Sequence, residues 1–140
     1  NKKIKLRSPK STRPWQHVLE PLSGYLILGQ KLLKKKLNNY LYPSWNFGPE
    51  KKNCKEVIQM VNKVLHYWQI KKKIINNKFE MHESKFLSLN ITKAKKELEW
   101  KPKLTFDETI KLTVNWYKNF FNKKNVEQTT LNQIKYYMNK

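Results

Sequence analysis

TRPWQHVLEPLSGYLILGQKLL, residues 12–33, carries the pattern from which the rest of the chain can be placed. Residues 15–18 are expected to be extended and to run into a helix opened by Pro21. Proline suits the first helical turn, where its missing N–H would have no intrahelical partner. Glu20 places a negative charge at the positive end of the helix dipole. Beyond Pro21, Leu22, Leu26, Gly29 and Leu33 share one face at helical spacing, with Tyr25, Leu28 and Leu32 beside them. Arg13, Trp15 and His17 are two residues apart, so in extended chain a guanidinium, an indole and an imidazole leave one side together. A strand end feeding a helix start is a common place to hold an anion in α/β proteins.

The chain has 140 residues, about one domain, and a formal charge of +20. Such a charge invites a nucleic-acid reading. Of the 30 cations, however, only Arg7 and Arg13 are arginine; lysine supplies the rest and is spread along the whole sequence. Forked reading of bases and phosphates calls for arginine. With a single alanine and abundant asparagine and isoleucine, the composition reads as a drifted, lysine-coated surface, and no specific nucleic-acid partner is expected. A lysine-rich nucleic-acid-binding module is the alternative of a different class, and a folded but inactive remnant is another. Cys54 alone cannot form an internal disulfide or a cysteine-rich zinc site. No run of about 18 apolar residues occurs, so no membrane partner is expected and the chain is placed in the cytoplasm.

Strands are expected over residues 3–6, 45–47 and 86–89, and ambiguously around Ile74 and Ile75. Val57, Ile58, Met60, Val61, Val64 and Leu65 predict an amphipathic helix over 55–68. Asn90 or Thr92 is expected to cap a short helix ending at Leu98. Thr105 and Glu108 form a capping box ahead of Ile110, Val114, Tyr117 and Phe121, and a polar linker over 122–128 precedes a terminal helix over 130–138. Residues 1–121 are therefore taken as one lobe and 122–140 as linker and terminal helix. Helices interspersed with short strands indicate α/β or α+β architecture.

Most chemical motifs fail on inspection. Tyr67/Lys71 and Tyr136/Lys140 match the Tyr-x-x-x-Lys acid/base pair, but seven tyrosines in so lysine-rich a chain yield such matches by chance. Gly24 and Gly29 lack the ending of a phosphate loop and are read as helix-packing positions. His17, His66 and His82 have no ligand spacing, so no metal site is expected.

RPWQHVLEPLSGYL (13–26) nevertheless resembles the C-terminal part of CDP-glucose 4,6-dehydratases, members of the extended short-chain dehydrogenase family. WNFGP (45–49), HESKFLSLNITKAKKELEWKP (82–102), TFDETIKLTVNWYKNFF (105–121) and TLNQIKYY (130–137) extend the resemblance in order. One departure falls at Glu99-Trp100, where a glycine is common. The resemblance implies an α/β, mostly helical C-terminal substrate-binding lobe whose NAD-binding Rossmann domain is absent. The parent enzyme would be a lyase acting on CDP-glucose and a homodimer. Another NAD-dependent nucleotide-sugar dehydratase or epimerase is the nearest alternative.

For this lobe the resemblance implies no catalytic residue. It places Arg13 on the substrate pyrophosphate, where forked guanidinium contacts suit phosphate. Arg7, His17, Asn46 and Glu83 are the further substrate-binding candidates. Glu80 stands where many relatives carry an arginine, so a second arginine clamp is not expected there. Apolar residues over 12–18 and 45–47 would face the absent domain, which predicts an aggregation-prone chain.

Overall fold

The computed structural model describes residues 3–34, 44–76 and 84–140. Two small ladders, five α-helices and a single 3-10 turn (Lys51–Asn53) make up the described architecture. Strand β1 (Ile4–Leu6) pairs in parallel with β4 (Ile74–Asn76), with Ile4 opposite Ile74. Strand β2 (Thr12–Arg13) pairs antiparallel with β3 (Lys55–Glu56) and meets Phe86 in a parallel bridge on its other side. The helices are α1 (Leu19–Leu33), α2 (Val57–Trp68), α3 (Thr92–Glu97), α4 (Phe106–Phe121) and α5 (Val126–Met138). No described helix is long and apolar enough to cross a membrane.

The local signals that held are those with a hydrogen-bonding reason. Thr105 and Glu108 exchange side-chain and backbone bonds at the start of α4, and Ile110 and Val114 are buried behind them. Burial pushes the Glu108 carboxyl up, but bonds from Lys140, the Thr105 backbone and Tyr136 outweigh it and hold it at about 2. The Asn90 carboxamide accepts from Thr92 N–H at 3.0 Å, closing the first turn of α3. Helix α5 starts at Val126 rather than Thr130, because Asn125 caps it by accepting from Gln128 N–H. Strands fared less well: 86–89 reduces to the one bridge at Phe86, and 45–47 joins no ladder.

Helix α1 departs from expectation at its start. Val18 already has helical angles, so the helix begins at Leu19 and Pro21 is its third residue, still within the turn that needs no N–H. Its buried side is opposite the leucine-rich face. Glu20 and Gly24 are buried, with Ile27 and Leu28 against the core, whereas Leu26 and Leu33 are 76% and 87% exposed. Gly24 decides this, since a Cβ there would stand 2.3 Å from the Phe47 ring. Only without one can the helix lie on that ring; at Gly29 nothing lies within 4 Å. The outer face of α1 is thus apolar and exposed, while Phe47 in the 45–47 segment is buried.

Two apolar clusters result. Phe47, Ile91, Ala94, Leu98 and Trp100 form one, and Phe106, Ile110 and Val114 form the other with Trp15, Met60 and Trp68 alongside. Three turns following helices place a non-glycine residue in the left-handed region: Gln69 at φ 62°, Glu99 at 59° and Lys123 at 53°. Glycine is the usual occupant of such positions. The glycine missing before Trp100 is therefore missing where the backbone favours it.

The Glu20 carboxylate joins α1 to α5. It is 1% exposed, and its Oε1 accepts the N–H groups of Lys103 and Leu104 at 2.9 and 2.6 Å. Its Oε2 accepts the Tyr137 hydroxyl at 2.8 Å. Trp100 Nε1 donates to Ser23 Oγ, which is 2.8 Å from the same tyrosine oxygen. Burial and the adjacent carboxylate hold the Tyr137 phenol well above its ordinary value. Removing a buried partner leaves the others unsatisfied at about 1–3 kcal/mol each. Tyr137→Phe is expected to lower stability by about 1–2 kcal/mol and Glu20→Ala by about 3 kcal/mol or more. Urea unfolding followed by tryptophan fluorescence checks this order; equal midpoints for Glu20→Ala and wild type would remove Glu20 from its organising role.

Candidate functional site

Arg13 is held in the middle of three extended segments. Thr12 N–H donates to Lys85 O at 2.8 Å and Leu87 N–H donates to Thr12 O at 3.2 Å, while β3 pairs on the other side. The half-buried guanidinium turns Nη1 onto Thr12 O and Ser84 O at 2.9 and 3.0 Å. The ladder register sets Lys55 directly opposite Arg13. Directly opposed residues of an antiparallel pair leave the same face with Cβ atoms about 5 Å apart. The two side chains leave the same face of the ladder and then diverge: the Arg13 guanidinium turns to Ser84 O, and Lys55 lines a cleft with Gln59, Lys63 and His66. No sequence signal marks Lys55 among so many lysines; only the register singles it out.

The neighbouring helix starts are closed by the chain itself. Val57 and Ile58 N–H groups donate to Ser11 O and Pro9 O, and the Glu56 side chain accepts from Gln59. At α1, Leu19 N–H reaches His17 Nδ1 at 3.4 Å and Glu20 N–H reaches His17 O at 3.0 Å. Neither helix start therefore presents a free set of amides at this edge.

The other candidates are not gathered with Arg13 by any contact among the described residues. Asn46 is exposed and its Nδ2 touches Asn90 O at 3.4 Å, while the Gln16 carboxamide donates to Phe47 O beside it. Asn46 and Arg13 thus contact the backbone at either end of the 84–90 segment. Arg7 is exposed just after β1. Glu83 and Glu80 lie outside the described residues. His17 is buried and joined to other elements: its ring bonds the Gln133 side chain on α5, and Gln133 Nε2 donates to Leu112 O on α4 at 2.8 Å. With Gln16, Leu19 and Trp116 it lines a cleft of about 430 Å³. The Leu19 N–H on Nδ1 assigns the neutral ring's proton to Nε2.

No cluster of three or more potential metal ligands occurs among the described residues. The Tyr67 hydroxyl is paired with Asp107, as is Lys63, and Tyr136 with Glu108 and Lys140. These tyrosines serve helix contacts on the surface.

No family model matches the chain. Solved structures share its fold at low identity. The dTDP-glucose 4,6-dehydratase of Bacillus anthracis in complex with NAD superposes with a TM-score of 0.65 at 24% identity, covering 84% of this chain and 35% of that one. The UDP-glucuronic acid 4-epimerase of Bacillus cereus, bound to a fluorinated UDP-glucuronic acid and NAD, gives 0.68 at 15% identity over 85% and 36%. RMD from Pseudomonas aeruginosa, complexed with NADPH, gives 0.64 at 14% over 81% and 35%. The chain therefore has the α/β, mostly helical fold of the C-terminal lobe of extended short-chain dehydrogenases, the class of sugar-nucleotide dehydratases and epimerases. Its sequence matches CDP-glucose 4,6-dehydratase, at 33% identity over 139 residues to the Salmonella typhimurium enzyme. That match takes in 99% of this chain and 38% of the relative's length.

Burial lowers the His17 pKa, with the Gln133 bond opposing the effect more weakly. Above about pH 6.5 the ring is neutral in both folded and unfolded chain and adds no pH dependence. Below it the unfolded chain takes up the proton first, so stability falls toward acid by up to about 1.4 kcal/mol per pH unit. Urea midpoints at pH 7.5 and 5.5 are expected to differ more for wild type than for His17→Gln. An identical pH difference in the two proteins would contradict this.

Proposed function

We propose that this chain is the nucleotide-sugar-binding part of a CDP-glucose 4,6-dehydratase, an enzyme that converts CDP-glucose to CDP-4-dehydro-6-deoxyglucose and water. The sequence match along nearly the whole chain carries this reading, because the fold alone fits dehydratases and epimerases alike. In it Arg13 binds the pyrophosphate through its fork, Lys55 adds a second cation from the facing strand, and Asn46 and Arg7 border the ligand. His17 fixes the turn between β2 and α1 and so aims Arg13 without touching substrate. Holding the sugar in one orientation against the cofactor is how such a lobe contributes to rate.

The surroundings of the three glycines support placing the dinucleotide elsewhere. Gly24 lies in a helix against Phe47, a Cβ at Gly48 would meet Leu89 at 2.9 Å, and Gly29 stands clear of everything. None belongs to a loop whose amides converge on a phosphate. On this reading NAD is held by a portion of the enzyme outside this sequence, and the oxidation and return of hydride belong to residues there. The purified chain is expected to show no turnover of CDP-glucose with added NAD; any turnover would refute that division of labour.

A chimera in which this chain replaces the matching 38% of the Salmonella relative tests the substrate. CDP-glucose is expected to be consumed in preference to UDP- or dTDP-glucose. A preference for either of the latter would move the chain to another nucleotide-sugar enzyme. In that chimera Arg13→Ala is expected to weaken CDP-sugar binding roughly ten- to a hundredfold, about 1.5–3 kcal/mol. Arg13→Lys should recover part of the loss, because an ammonium cannot make the forked contact. Equal affinities for all three would reduce Arg13 to its bonds with Thr12 and Ser84.

A further inference from the structure

One end of the α2–α4 pair gathers aromatic rings and lysines that the proposed chemistry does not use. On the last turns of α4 the Trp116 and Phe120 rings stack at 5.6 Å and an interplanar angle of 9°. Tyr117 and Phe121 stack beside them at 6.4 Å. Trp68, at the end of α2, meets Phe121 at 6.0 Å, which brings the two helix ends together. Phe120 and Phe121 remain 52% and 65% exposed, and Ile70 after α2 is also exposed. Singly exposed apolar residues are ordinary, but a cluster of them at one tip is not.

The rim of this tip is cationic. Residues 71–73 are three exposed lysines leaving α2, and Lys123 and Lys124 are exposed where the chain leaves α4. Lys118 lies between, 3.5 Å from Gln69 Oε1. No acidic residue occurs in 57–76 or 109–126, the described stretches whose ends form the tip; Glu127 follows in the first turn of α5. Lys123 occupies the left-handed position of a Schellman turn, its N–H on Phe120 O and that of Lys124 on Asn119 O. Glycine would suit that backbone better, yet a lysine stands there.

We propose that this tip is a docking surface for an anionic lipid bilayer, with Phe120, Phe121 and Ile70 entering the interface and the lysine rim lying on the headgroups. The absence of a spanning helix does not bear on this, because surface contact needs only a small apolar element and cations to match negative lipid. Charge decides against a second copy, which would bring its own +20 to the contact. Ring packing decides against a single-stranded nucleic acid, since Trp116 and Phe120 lie face on face rather than open to a base. The two arginines lie elsewhere in the sequence, Arg7 after β1 and Arg13 in β2.

The test is co-sedimentation of the full chain with phosphatidylcholine vesicles, with and without about one-third phosphatidylglycerol, at about 0.15 M salt. Binding is expected only with the anionic lipid. Phe120→Ser/Phe121→Ser should weaken it about tenfold or more. Lys123→Gly separates fold from function, since it should raise the melting temperature while weakening vesicle binding. Lys123→Glu/Lys124→Glu is compared with Lys96→Glu/Lys101→Glu, which removes equal charge from exposed positions elsewhere. Only the first pair should abolish binding. The proposal fails if anionic vesicles are not bound, if the two charge pairs act equally and the phenylalanines are irrelevant, or if oligothymidine binds the tip more tightly through Phe120 and Phe121.

Discussion

A single buried carboxylate ties the two ends of this sequence together. Glu20 sits in the first turn of α1, and its oxygens are taken by two backbone amides at residues 103–104 and by the Tyr137 hydroxyl. A carboxylate withdrawn from water is tolerable only when its lone pairs are met, and breaking such a set costs more than the set contributes. That asymmetry makes it a device of specification. The approach of the 103–104 backbone, the seating of α5 and the rotation of α1 must all be right together. The apolar clusters on either side do not by themselves impose that rotation, since α1 offers a longer apolar face outward than inward.

The rotation of α1 shows where sequence reasoning reached its limit. Counting leucines at helical spacing selects the outer face, because hydrophobicity dominates any such count. The inner face is selected by a glycine that admits a phenylalanine ring and by an acid that finds three donors, and neither scores in a periodicity. Local bonds were legible: the Thr105–Glu108 box and the amphipathic pattern of α2 were predicted near their observed places, and Asn90, one residue ahead of the N-cap Ile91, does bond the start of α3. Ladders were legible only in part: β1 falls within the expected 3–6 strand, but which segments pair is set by distant parts of the chain rather than by their own composition. The ambiguous Ile74–Ile75 pair became a strand because Ile4 lies beside it.

The site divides along the same line. Arg13 stands out in the sequence because the chain has so few arginines, and the structure places it between two flanking segments at a strand end. Lys55 carries no mark of its own and enters only through the register that opposes it to Arg13. The spacing of Arg13, Trp15 and His17 suggested one shared face, but that requires continued extended chain. The strand ends at Arg13, Trp15 N–H turns back to Arg13 O, and the helix has begun by Val18. Trp15 goes to the α2–α4 cluster and His17 to α5. The helix starts have few amides to offer an anion for a related reason: they are already met by Ser11, Pro9, Glu56 and His17.

A lobe of this shape is a scaffold on which substrate choice is written in few atoms. A dehydratase and an epimerase superpose on it with TM-scores of 0.65 and 0.68, so the backbone does not distinguish elimination from inversion. Pyrophosphate is common to their nucleotide-sugar substrates, and a cation at the end of β2 would serve all of them. Discrimination among bases must come from contacts that differ, and a base edge is recognised by donors and acceptors rather than by charge. Exposed carboxamides such as Asn46, at the far end of the 84–90 segment from Arg13, are chemically of that kind. The +20 coat cannot, because attraction spread over a surface favours every nucleotide sugar equally.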